Sequence, residues 1–127
     1  MLLKMNRIVK SLQNRAEFDS RLHDSEAKFS VYILDVIPLV ESCSYHFYVG
    51  STGKPVEERF LEHKEKGEKS ARIFRNRADV GDIRWDLMEG FPKFHTRAAA
   101  ERAEGRVAKW LVNKGYQVRC NALEAEK

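Results

Sequence analysis

Cysteine is scarce in this chain. Cys43 and Cys120 are the only two in 127 residues, too few for a disulfide framework, so reduced thiols and a cytoplasmic setting are expected. Cys43 and His46 have a ligand-like spacing, but no second close pair accompanies them, which argues against a structural zinc site. Long apolar runs are also missing. The longest candidate, Val31 to Val40, is interrupted by Asp35 and Pro38, so no bilayer span and no membrane partner are expected. The N-terminal segment carries Glu17, Asp19, Asp24 and Glu26 without a continuous apolar stretch, which suits neither a secretory nor a mitochondrial leader. No internal repeat and no low-complexity tract is visible.

What remains is the material of one ordinary domain. A hydrophobic content of 43% in 127 residues supports a single packed core. The net charge of +4 is modest but unevenly placed. Lys69, Arg72, Arg75 and Arg77 follow one another with no acid between them, and residues 97–119 hold six Lys or Arg against Glu101 and Glu104. Residues 29–53 and 78–96 are each acidic by two. Such segregation suits a face for an anionic polymer, although charge runs alone also describe an ordinary solvated surface.

Residues 2–24 read as a helix with Leu3, Ile8, Leu12 and Leu22 among polar neighbours; its imperfect period suggests an appendage to the core. The segment 29–37 (FSVYILDVI) reads as a strand covered on both sides. Tyr45 to Val49 reads as a second strand, ended by Gly50 and joined to the first as an antiparallel hairpin. Pro55 opens a helix that runs to about Lys66, and a short basic helix is expected over 69–77. Ile83, Trp85 and Leu87 alternate with polar residues as a third strand. A long helix over 97–114 and a short strand over 116–120 complete the order. The expected fold class is α+β, a small antiparallel or mixed sheet flanked by helices, with an extra N-terminal helix.

Polar residues on apolar faces point toward chemistry. In the last helix, positions 100, 103, 104, 107, 108 and 111 form one stripe, apolar except for Glu104. A carboxylate turned inward needs a cation, which is either an arginine at the core boundary or a metal ion. In the helix after Pro55, Val56, Arg59, Phe60 and His63 share one face. Tyr32 and Tyr48 lie in the two hairpin strands, where tyrosine commonly packs, yet their hydroxyls need partners if buried. Arginine, tyrosine, histidine and a metal-binding glutamate are together the groups that phosphodiester hydrolysis requires.

The segments Ser30-Val31-Tyr32 and Tyr48-Val49-Gly50 resemble the paired motifs of GIY-YIG nucleases, and Arg59 to His63, a late-helix Glu104 and Asn121 follow in that family's order. The resemblance covers residues 29–121. It implies a nuclease-like domain over 29–127 and an N-terminal helical extension over 1–28. Tyr32 would assist water activation, alone or with His63, and Tyr48 would contact the phosphate or orient the base. Arg59 would stabilise the transition state, and Asn121 would position backbone or substrate. Glu104 would be the sole protein ligand of a divalent metal ion, Mg2+ or alternatively Mn2+, that keeps most of its waters. Two departures stand out. Ser30 replaces the first glycine, and Tyr48 follows Tyr32 by sixteen residues.

The expectation is therefore a metal-dependent endonuclease acting on nucleic acid, DNA foremost, with Lys69, Arg72, Arg75 and Arg77 tracking phosphates. One alternative is a non-catalytic nucleic-acid-binding module of the same fold. Another is an interaction protein whose partner docks on the N-terminal helix.

Overall fold

The computed structural model describes residues 2–120. Its elements run α1 (Leu2–Leu22), β1 (Ser30–Pro38), β2 (Phe47–Thr52), α2 (Val56–Lys64), α3 (Ile73–Asn76), β3 (Ala78–Ile83), α4 (Arg97–Asn113) and β4 (Val118–Cys120). The sheet order is β3-β1-β2-β4, antiparallel except for the parallel β2–β4 pair. This is an α+β fold with a mixed sheet flanked by helices, as the residue pattern implies. The apolar run of β1 explains its central place, because Val31, Tyr32, Ile33 and Leu34 are all buried between neighbours on both sides.

Alternation along the strands sorts the side chains to two faces. Tyr32 lies opposite Gly50 and Leu34 opposite Tyr48, while Val31 lies opposite Ser51 and Ile33 opposite Val49. Tyr32 and Tyr48 meet His63 of α2, and Tyr48 meets Phe74 of α3. Ser51, on the other face, meets Glu104 of α4. Helices α2 and α3 therefore cover one side of the sheet and α4 the other. The inward stripe of α4 is as expected, with Ala100, Ala103, Glu104, Val107, Ala108 and Leu111 buried together with Ala99.

Helix α1 is more than an appendage. It packs on α4, and Ile8 and Leu12, one turn apart, join the common core. Val9 and Ala16 are partly covered and Asp19 is buried, while Phe18 and Leu22 are exposed, which is why the periodicity looks imperfect. Burial of an aliphatic side chain contributes about 1.5–3 kcal/mol.

Two strands differ from the sequence expectation. The third strand precedes the expected segment: Ala78–Ile83 pairs with β1, while Trp85 to Gly90 forms turns. Asp79, Gly81 and Asp82 hide this strand in the sequence, because only Ala78 and Val80 are buried in it. The second strand begins at Phe47 and continues through Gly50 to Thr52. Gly50 does not end the strand; it gives room for the Tyr32 ring. A Cβ there would lie 2.4 Å from the Tyr32 hydroxyl oxygen. The basic helix also contracts, to Ile73–Asn76.

Candidate active site

The site lies where β2 runs past Gly50 to Thr52, at the end of the sheet that also holds Ser30 of β1. There the two helical layers approach each other around the end of the sheet, leaving a cleft of about 700 Å3. Arg59 and Glu62 of α2 line it from one side, and Arg97, Glu101 and Glu104 of α4 from the other. Lys28, Lys54 and Lys69 add positive charge, so five cations stand against three carboxylates in the lining.

Glu104 is only 1% exposed, and its Oε1 accepts a 3.0 Å hydrogen bond from the Ser51 hydroxyl. Among the described residues no three His, Cys, Asp or Glu side chains are grouped to hold a metal ion. The buried Glu104 carboxylate, bordering a polar cleft, nevertheless fits a hard cation that takes one protein oxygen and retains its waters.

Arg59 is fixed from several directions. Its Nη1 donates to Glu62 Oε1 at 2.9 Å and to the Lys69 carbonyl oxygen. Lys54 Nζ reaches the other Glu62 oxygen at 2.6 Å. Lys54 and then Arg59 hold the Glu62 carboxyl below the usual range, despite partial desolvation. Burial works against the Arg59 charge, but Tyr32 and Glu62 outweigh it and raise its pKa above the ordinary arginine value.

Behind the cleft wall, Tyr32, Tyr48 and His63 are almost fully buried. The Tyr48 ring packs against Tyr32, His63 and Phe74 with centroids 5.3–6.3 Å apart, an aromatic cluster that backs Tyr32. The Ala71 N–H donates to His63 Nδ1 at 2.9 Å. Burial, followed by the Arg59 charge, pushes the His63 pKa down to about 3. The ring is thus neutral at ordinary pH with Nδ1 as acceptor, so its single hydrogen sits on Nε2. Nε2 lies 2.9 Å from the Tyr32 hydroxyl and donates to it. His63 in this state cannot take a proton from Tyr32; it orients the phenol. Burial raises the Tyr32 pKa, while the charge and hydrogen bonding of Arg59 oppose that rise.

Of the residues expected from the sequence, Arg59, Glu104 and Lys69 line the cleft. Tyr32 stands behind it, with His63 and Tyr48. Arg72 is exposed, and Arg75 donates to the Glu68 carbonyl. Arg77 bonds to Ser42, beyond the far end of β1 from the cleft. Asn121 lies outside the described residues. Sequence reasoning missed Lys28, Lys54 and Arg97, which are isolated cations rather than a run. Their only signal is position, beside strand ends and the start of α4. No family model, no curated protein and no solved structure matches this chain.

Proposed function

We propose that this protein is a metal-dependent endonuclease that hydrolyses phosphodiester bonds of nucleic acid, DNA in the first instance. The observation that carries this reading is the meeting of Arg59 and Glu104, from helices on opposite faces of the sheet, in one cation-rich cleft. A polyanion is drawn in by Lys28, Lys54, Lys69 and Arg97. Arg59, held by Glu62 and the Lys69 carbonyl, neutralises charge that builds on the phosphate during attack. Tyr32 receives the His63 hydrogen and is also hydrogen-bonded by Arg59, which leaves its own O–H to donate to a water or a phosphate oxygen. Glu104 would hold Mg2+ or Mn2+, and such an ion supplies Lewis acidity toward phosphate oxygen and acidifies bound water.

The test is incubation with plasmid, branched DNA and structured RNA, each with and without magnesium. Cleavage of at least one substrate is expected only with the metal. Arg59→Ala should slow it by about 10³- to 10⁵-fold, the range for a transition-state arginine in phosphoryl chemistry, while affinity changes far less. Loss of affinity in proportion to loss of rate would reduce Arg59 to a phosphate anchor.

A further inference from the structure

Beside the cleft lies a second concavity of different character, with a volume of about 480 Å3. Its wall is apolar, formed by Trp85, Met88, Phe91 and Pro92. Trp85 is 50% exposed. Successive turns fix the segment that carries it. The Met88 N–H donates to the Trp85 carbonyl at 3.1 Å, and the Phe91 N–H donates to the Met88 carbonyl at 3.0 Å. The pocket is contiguous with the cleft, because Lys28, Gly53 and Lys54 line both. Lys28, Lys54 and Lys93 give its lining three cations against the single carboxylate of Glu57.

An apolar, aromatic-walled pocket bordered by cations fits a flat ring carried between phosphates. A lipid tail would use the apolar wall but not the cations, and a simple phosphate would use the cations but not Trp85. A nucleobase uses both, since every base has a stacking face and is flanked by backbone charge. We infer that this pocket takes an unstacked nucleobase of the strand whose backbone lies in the cleft, with Trp85 as its stacking platform. A paired base cannot enter without leaving its duplex. The substrate class is therefore a strand with an unpaired nucleotide beside the bound phosphate, such as a flap, gap, bulge or single strand. This inference rests on the nucleic-acid reading of the cleft.

Trp85 and Trp110 are the two tryptophans of the chain, so Trp110→Phe leaves Trp85 as the sole indole reporter. Without metal, three probes are titrated: a single-stranded oligonucleotide, a fully paired hairpin, and the same hairpin with one unpaired nucleotide. Saturating binding should quench Trp85 with the first and third probes and leave it nearly unchanged with the second. Trp85→Ala should weaken the first and third by about 5- to 150-fold, the range for one stacked base, and leave the paired hairpin unaffected. Trp85→Phe should restore most of the loss, and circular dichroism should show both variants folded. Unchanged Trp85 emission at saturation, or equal weakening for all three probes, would overturn the pocket while leaving the cleft reading intact. Failure of every probe to bind, measured by filter retention, would overturn both. Quenching by an apolar peptide but by none of the oligonucleotides would assign the pocket to a protein partner and overturn it as well.

Discussion

Asp19 and Glu104 are both carboxylates withdrawn from water, 6% and 1% exposed respectively, and both belong to the contact region of α4. Their surroundings differ completely. Asp19 Oδ2 accepts from the His95 and Thr96 N–H groups at 2.8 and 3.1 Å, and its Oδ1 from the Thr96 hydroxyl at 3.1 Å. Those donors lie at the N-terminal end of α4, where Thr96 itself caps the helix by accepting from the Ala99 N–H. A negative charge there also complements the helix dipole. Asp19 thus ties α1 to α4. Glu104 accepts from Ser51 and faces a cleft lined by Lys54, Arg59, Lys69 and Arg97. Burial alone does not mark a carboxylate as functional. The two differ in what surrounds them, the backbone N–H groups and hydroxyl at the start of α4 for Asp19, and the Ser51 hydroxyl with the wall of the cation-rich cleft for Glu104.

The most severe way to break this contrast is Glu104→Gln, which keeps the shape and removes the charge. Cleavage should vanish at every magnesium concentration, while binding persists and the melting temperature moves little. If the variant instead melts early, with the 3–5 kcal/mol or so typical of breaking a buried ion pair, and still cuts, then Glu104 is structural like Asp19.

The converse change, Asp19→Ala, leaves buried donors without their acceptor and should cost about 2–4 kcal/mol of stability. The rate per folded molecule should be unchanged. A denaturant titration paired with a cleavage assay reads both numbers. A loss of rate at full folding would place Asp19 in the site as well.

His63 has an effect visible only in pH. Its folded pKa, near 3, lies below the ordinary value of 6.5. Above about pH 6.5 the unfolded chain takes up no extra proton at this residue, so the neutral ring carries no pH-dependent penalty. As pH falls from there toward 3, the unfolded state binds a proton that the folded state refuses. Stability should then drop by about 1.4 kcal/mol per pH unit from this residue. His63→Gln should flatten that acid limb. An unchanged slope would mean that His63 is not held neutral, and the hydrogen assigned to Nε2 would have to be moved.

The parts of this molecule legible from sequence are those where one local period dominates. The apolar run Val31 to Leu34 of β1 and the stripe of α4 with a single acid in it both predict their own burial, including the inward Glu104. Arg59 and His63 share a face of α2 as their spacing implies. Other features escape because their cause lies elsewhere in the chain. Gly50 looks like a strand terminator until Tyr32 is seen to occupy the space a side chain would need. The strand Ala78–Ile83 looks polar because only one of its faces is covered. Arg77 looks like part of a basic face until its side chain is found bonded to Ser42. Trp85 looks like a strand residue until the turns around it expose its ring.

By itself, then, the sequence determined which segments become helices and hairpin and that Glu104 and His63 turn inward, because period and residue type act within a few residues; the burial of Asp19 was not legible in it. Only the tertiary structure decided what those side chains meet. Asp19 and Thr96 are 77 residues apart in the chain, and Ser51 and Glu104 are 53 apart. No local preference encodes such pairings, which arise when two helical layers close on one sheet. The cleft follows from the same closure, since Arg59 of α2 and Glu104 of α4 meet there across the end of the sheet.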